Sequence, residues 1–517
     1  MRMPLWLEKR AALTPDRTAL IGAYDSGMDA SAVDAKGPHA NGAREKNGPV
    51  RVSFGELRDR SRKLAQKLIA FGVHEGDIVA VLCRNGLHVS ELIHAVQYAG
   101  AVYMPLNIRL TVPELAFQIR DSGCRHLIYD EANRSLAMEI RDMLPGLNMS
   151  PAGGLPEPDG PAAPLLTEVD MEAVSTIMYT SGTTGTPKGV MLTYGNHWAS
   201  AVGSVLNLGW NEHDVWLACV PLFHISGLSI MMRSVIYGMP VVIHEKFDPE
   251  AANRAIFGQG VTMVSVVSNM LSRMIEALGD RAYPAHFRCM LLGGGPAPLP
   301  LLEACRDKNI PVFQTYGMTE TASQIVTLPP EFMLSKLGSA GKPLFQSELK
   351  IVKDGKEAAP FTEGEIVVRG PNVTKGYLNR PDATADAIRD GWLHTGDIGY
   401  VDEDGFLYVL DRRKDLIISG GENVYPAEIE TVLLGHPAIS DAGVTGVEDA
   451  RWGQVPVAFV KLKEGATLTE RDLLVYCTGK LAKYKIPARV FFVDRLPRNA
   501  SNKLLRRDLL AMIRQNG

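Results

Sequence analysis

Two rhythms of apolar positions alternate along the chain. Short aliphatic and β-branched runs, such as Asp77-Ile78-Val79-Ala80-Val81-Leu82-Cys83, His126-Leu127-Ile128-Tyr129-Asp130 and Val174-Ser175-Thr176-Ile177-Met178-Tyr179, predict buried strands. Between them the spacing lengthens to that of a helix. Ser53-Phe54-Gly55-Glu56 has the pattern of a capping box, and Phe54, Leu57, Leu64 and Leu68 then recur at helical intervals to about Phe71. A second helix is expected from about His88 to Tyr98, stopped by Gly100, and a third opens at Thr111-Val112-Pro113-Glu114, with proline in its first turn. Strands follow at Val215 to Val220, Val241 to His244, Met263 to Val267 and Cys289 to Leu292, with helices between them. This strand-helix alternation predicts an α/β protein built on doubly wound, parallel sheets.

The pattern changes near the C-terminus. A helix opening at Pro426, strands near Asp441 to Val447 and Val457 to Lys463, a helix from about Thr469 to Lys483 and a strand at Val490 to Val493 describe a small α+β domain. Its boundary is expected at the charged stretch Asp411 to Lys414, giving a large domain over 1–410, a connection over 411–414 and a small domain over 415–517. Residues 22 to 50, rich in Gly, Ala, Ser and Asp without apolar periodicity, read as a loop insertion. Ala152 to Pro164 reads as a Pro/Gly linker.

Composition narrows the class. At 517 residues the chain exceeds a single ordinary core. A hydrophobic share of 46% with 22% charged residues is that of a soluble globular protein. A formal charge of −4 gives no basic footprint for nucleic acid, and local clusters such as Arg412-Arg413-Lys414 and Arg506-Arg507 read as solvated surface. The six cysteines show no metal-type or redox pairing, which suits reduced core thiols in the cytoplasm. Glu8, Lys9 and Arg10 follow a short apolar patch too closely for a signal-peptide core, and no window reaches the length of a membrane span. A second copy of the chain is a candidate partner.

The richest chemistry lies in Thr180-Ser181-Gly182-Thr183-Thr184-Gly185-Thr186-Pro187-Lys188-Gly189, which leaves the end of a predicted strand. Glycines admit backbone N–H groups to an anion, hydroxyls add donors and Lys188 supplies a movable charge, an inventory that suits a triphosphate. It is not a Walker A loop, because Lys188 follows Pro187 and precedes Gly189. There are no paired metal-ligand histidines and no Gly-x-Ser-x-Gly elbow, so hydrolase readings lack support. By themselves a Gly/Thr run is equally an ordinary turn, Thr319-Glu320 a helix cap and a lone Asp or Arg a solvated charge.

In this order, however, the loop together with Pro221-Leu222-Phe223-His224, Tyr316-Gly317-Met318-Thr319-Glu320, Trp392-Leu393-His394-Thr395-Gly396-Asp397, Asp411-Arg412-Arg413-Lys414-Asp415 and a late Lys503 resembles the acyl-adenylate-forming superfamily over nearly the whole chain. The resemblance implies ATP-dependent activation of a carboxylate as acyl-AMP, with Mg²⁺, followed by transfer to the thiol of CoA. It implies that Thr180, Ser181, Gly182, Thr183, Thr184, Gly185 and Lys188 hold phosphates, and that Glu320 holds Mg²⁺. Thr319 would meet the α-phosphate, Gly293, Gly294, Gly295, Pro296 and Tyr316 would border the adenine, and Gly317 and Met318 would belong to the same nucleotide-binding motif. Asp397 and Arg412 would hold the ribose, Lys414 would be the hinge and Lys503 the adenylation lysine, although Asn502 stands where the family usually has glycine. Gly420 and Gly421 would line the pantetheine tunnel, and His224 would gate the acyl pocket.

Longer stretches, including Thr193-Tyr194-Gly195-Asn196-His197-Trp198 and Arg498-Asn499-Ala500-Ser501-Asn502-Lys503-Leu504-Leu505-Arg506-Arg507, are similar to those of CoA ligases acting on o-succinylbenzoate in menaquinone synthesis. That substrate carries a second carboxylate, which must be matched by polar groups if buried; Ser268, Asn269, Ser323 and Gln324 are the candidates. A CoA ligase for another aryl or fatty acid, and an adenylation domain that loads a carrier protein, stay open as alternatives.

Overall fold

The computed structural model describes residues 1–23, 49–180, 186–294, 297, 299–411, 416–497, 504 and 506–516. The 22–50 insertion and the 411–414 hinge therefore fall largely outside the described residues. The first sheet has the order Gly376–Tyr377, Lys188–Thr193, Val174–Thr180, Val102–Pro105, Ile78–Leu82, His126–Tyr129 and Asn148–Pro151. From Val174–Thr180 onward its strands are parallel, and the first two join antiparallel. A second sheet runs parallel through Thr18–Gly22, Val241–Ile243, Trp216–Ala218, Met263–Val266, Cys289–Leu292 and Val312–Met318. It turns antiparallel at Ser323–Leu328 and curls on through Ser339–Pro343 into Leu407–Asp411, Trp392–Val401 and Gly364–Arg369.

These sheets are joined by a shared core. The helix Leu87–Tyr98 is buried on every side, which its uninterrupted run of buried residues requires of a helix packed between layers. Val79 and Val81 of the first sheet and Leu20, Trp216 and Val241 of the second belong to the same apolar cluster. The capping boxes expected at Ser53 and Thr111 form, and they open the helices Phe54–Ala70 and Val112–Ser122.

A third sheet of Glu422–Val424, Ile417–Ser419, Gly453–Leu462, Ile439–Asp449 and Arg489–Phe492 carries its own core around Ile417, Val424, Ile429, Val444 and Val460. Its second helix is shorter than expected. It spans Glu470–Cys477 because Gly479 adopts a left-handed φ of 82° and turns the chain. The Pro/Gly segment after Ala152 is also not a free linker: Gln66 donates to the carbonyl of Ala163 (2.8 Å) and accepts from its N–H (2.9 Å). Among the described residues, no helix is long and apolar enough to cross a membrane.

Candidate active site

The antiparallel pair Val174–Thr180 and Lys188–Thr193 presents the glycine- and threonine-rich loop at its tip, with Thr180 opposite Lys188. Ser181, Gly182, Thr183, Thr184 and Gly185 lie outside the described residues. The strand below the loop is anchored: the Tyr179 hydroxyl donates to Asp121 at 2.8 Å, and Arg380 pairs with the same carboxylate. Lys188 Nζ lies 5.1 Å from the ring centroid of Tyr377. The Tyr377 hydroxyl in turn donates to Glu320 Oε1 at 3.0 Å.

Glu320 sits on the single turn Thr319–Thr321 that follows the strand Val312–Met318, and it is only 4% exposed. Gly317 precedes it at a strand irregularity where a Cβ would lie 2.0 Å from the carbonyl oxygen of Ser323, so any side chain would displace the backbone there. The Tyr316 hydroxyl donates to Asp397 Oδ2 at 2.7 Å, and both residues are buried. Gly293 and Gly294 end the neighbouring parallel strand Cys289–Leu292. Thus Lys188, Gly293, Gly294, Tyr316, Gly317, Met318, Thr319 and Glu320 stand at or next to adjoining strand ends of both sheets, and Asp397, within the strand Trp392–Val401, joins them through Tyr316. Gly295, Pro296, Arg412, Lys414 and Lys503 lie outside the described residues.

The small domain docks against this region. Its turn Gly420-Gly421, with φ of 59° and 88°, lies against the large domain at Val267, where a Cβ on Gly421 would come within 3.5 Å. Glu422, next in the chain, meets His224 Nε2 at 3.1 Å and pairs with Arg109. Burial pulls the Glu422 carboxyl upward, but His224 and Arg109 more than offset it and hold it down at about 2. Asn269 donates to the carbonyl of Arg451 at 2.8 Å, which places it at the domain contact rather than among the groups facing Ser323. A second contact is a buried ion triad: Lys485 Nζ bonds Glu114 of the large domain at 2.6 Å and Glu428 of its own domain at 2.7 Å.

Behind the Thr319–Thr321 turn lies Ser323, held at a φ of 110°, and its hydroxyl meets Arg233 Nη2 at 3.4 Å and Ser229 at 3.5 Å. Arg233 is 2% exposed, stacks over Trp216 and leaves its Nε without a hydrogen-bond partner. Among the described residues no carboxylate pairs with it, and burial lowers its pKa from the ordinary arginine value. Gln324 is spent internally, donating to Thr327 at 3.0 Å and accepting from Ser204 at 3.3 Å. Ser268 opens the helix Ser268–Leu278. Sequence reasoning missed Arg233, although a single charge inside the apolar helix Ile225–Tyr237 was a visible signal.

Comparison with known proteins decides the family. The profile of the AMP-binding enzyme family matches residues 7–378, and that of the AMP-binding enzyme C-terminal domain matches 428–503. The chain belongs to the AMP-binding enzyme family. Among its members, a 2-succinylbenzoate–CoA ligase from Geobacillus kaustophilus is 58% identical over 515 residues, covering 99% of this chain and 98% of the relative. A double mutant of o-succinylbenzoate CoA synthetase from Bacillus subtilis, bound with the product analogue OSB-NCoA, superimposes with a TM-score of 0.89 at 47% identity, covering 99% of this chain and 98% of that one. The Bacillus subtilis enzyme in complex with ATP and magnesium gives 0.74 at 48% identity, covering 99% and 100%.

Proposed function

We propose that the chain is an AMP-forming ligase that uses ATP, Mg²⁺ and CoA to convert o-succinylbenzoate to o-succinylbenzoyl-CoA, in menaquinone synthesis. The observation that carries the substrate is Arg233. An unpaired guanidinium buried this deeply is costly unless an anion completes it, and a substrate with a second carboxylate supplies that anion. A fatty acid or benzoate would leave the charge unmatched. Ser323, already on Arg233, would share the same carboxylate.

The reaction runs in two steps. In the first, the other carboxylate attacks the α-phosphate of ATP and releases pyrophosphate, leaving acyl-AMP; in the second, the CoA thiol displaces AMP. Charge control is the main demand in both. Lys188 and the loop from Thr180 to Gly185 hold the triphosphate, Thr319 meets the α-phosphate and Lys503 bridges the attacking carboxylate and the phosphate. The buried Glu320 carboxylate is a hard oxygen donor paired with no cation among the described residues, which fits Mg²⁺. The metal, when bound, screens phosphate charge. Tyr316 borders the adenine, Asp397 and Arg412 face the ribose, and Gly420 and Gly421 admit the pantetheine arm.

The division into a large domain over 1–410, a hinge at Lys414 and a small domain over 415–517 belongs to the same reading. The two Bacillus subtilis structures match this chain almost equally in identity and coverage, yet score 0.89 and 0.74. That difference is expected if a small domain swings as a rigid body, with the arrangement described here being the thioester-forming one. Six free, buried cysteines suit a reducing cytoplasm.

The test is pyrophosphate release with o-succinylbenzoate, benzoate and medium- and long-chain fatty acids, for the wild type and Arg233→Met. The wild type should prefer o-succinylbenzoate by two orders of magnitude or more in kcat/KM, as expected for loss of a buried ionic contact of about 3 kcal/mol. Arg233→Met should erase most of that preference through KM. Equal rates with benzoate in the wild type would discard the substrate.

A further inference from the structure

Among the groups this mechanism leaves without a task, Tyr377 stands out by its position. It belongs to the two-residue strand Gly376–Tyr377, which pairs with the strand leading out of the phosphate loop, Val190 opposite Tyr377. The segment around it stitches two parts of the site together. On one side, the Thr374 hydroxyl donates to Met191 (2.6 Å) and the Leu378 N–H to Gly189 (2.8 Å). On the other, the Thr374 N–H donates to the backbone carbonyl of Glu320 at 2.7 Å, and the Asn372 amide to that of Thr321 at 3.0 Å.

The side chain repeats this bridge in the site itself. The phenol donates to Glu320 Oε1 at 3.0 Å, the only side-chain hydrogen bond to that carboxylate among the described residues. The ring face lies under the Lys188 ammonium, 5.1 Å away. A hydrogen bond to a carboxylate orients it far more firmly than packing does, and an aromatic face steadies an ammonium without neutralising it. One rigid side chain thus touches both charged groups and fixes their spacing.

We propose that Tyr377 is a positioning residue for the first half-reaction, aiming Glu320 with its hydroxyl and steadying Lys188 with its ring so that the divalent cation and the triphosphate are received in one geometry. This rests on the reading that Glu320 holds the cation and Lys188 the phosphates.

Calorimetric binding of ATP in Mg²⁺ and in EDTA, for the wild type, Tyr377→Phe and Glu320→Gln, tests it. Tyr377→Phe keeps the ring and should weaken ATP binding about tenfold in Mg²⁺, as for loss of a hydrogen bond to a charged group, with no change in EDTA. Thioester formation from supplied acyl-AMP should be untouched. Wild-type affinity in Mg²⁺, equal weakening in both media, or equal loss in both half-reactions overturns the proposal. If Glu320→Gln removes the Mg²⁺-dependent gain and Tyr377→Phe does not move it, only the role of Tyr377 fails. If Glu320→Gln leaves that gain intact, the underlying reading of Glu320 fails with it. Tyr377→Leu, which also removes the ring, should weaken binding in EDTA as well; unchanged affinity there overturns the part assigned to Lys188.

Discussion

Replacing Glu114 by Gln should slow thioester formation from supplied acyl-AMP by about five- to thirtyfold, with pyrophosphate release unchanged, from a loss of about 1–2 kcal/mol. The magnitude follows from the ion triad. Lys485 is 3% exposed and bonds Glu114 across the domain contact and Glu428 within the small domain. Burial pulls its pKa down, but Glu428 and Glu114 raise it beyond the ordinary value, so it stays charged. Glu428 is pushed up mainly by burial, with Lys485 opposing and Glu114 adding repulsion. A hydrogen bond to a charged group contributes about 1.5–3 kcal/mol. The amide of Gln still accepts from Lys485, and losing the Glu114 charge relieves Glu428, so only part of that range is lost. On the proposed alternation between two domain arrangements, which must lie within a few kcal/mol of each other to be visited in each turnover, this loss falls on the docked one. Single-turnover thiolysis and pyrophosphate release, measured side by side, separate the effects. Thermal unfolding controls for the capping box that Glu114 closes with Thr111. Equal slowing of both half-reactions, or of neither, would refute the reasoning.

Two further outcomes follow from the same contact. The Glu422 carboxyl, held at about 2 against an ordinary 4.5, stabilises the docked fold fully above pH 4.5 and loses that contribution as the pH falls toward 2. The stability gap between the wild type and Glu422→Gln in urea should therefore shrink from pH 6 to pH 3, and a gap independent of pH would contradict the assignment. Gly421→Leu places a branched side chain at a left-handed φ of 88° against Val267. Thiolysis should fall at least tenfold with adenylation spared, given strain of about 1–2 kcal/mol plus the obstruction; a matching loss of adenylation would show that the turn does not border the thiol's path.

The strand-helix alternation that the sequence displays is the alternation found, because buried parallel strands and amphipathic helices announce themselves within a few residues. Motif residues such as Tyr316, Glu320 and Asp397 were legible for a different reason: their order along the chain matches a family. Their partners were not. Arg233 meets Ser323 across 90 positions, Arg109 meets Glu422 across 313 and Lys485 meets Glu114 across 371. No local rhythm encodes a pairing that only the assembled sheets bring about. Tyr377 was hidden in the same way, since an aromatic residue in a short edge strand looks like packing until its hydroxyl is seen on Glu320. The error over the helix after Thr469 was local, an overestimate of how far amphipathic spacing carries past a glycine.

On the proposed domain swing, Glu422 would also be a travelling counter-charge. Docked, it sits between His224 and Arg109 and cancels positive charge at the mouth of the site. If the small domain swings away as proposed, the carboxylate leaves with it and Arg109 is left uncompensated at the mouth, which would favour entry of a triphosphate. Its return would restore the pairing with His224 and Arg109 and remove that excess positive charge when pyrophosphate must depart. On the proposed swing, one side chain would thereby make the charge of the entrance alternate with the position of the small domain.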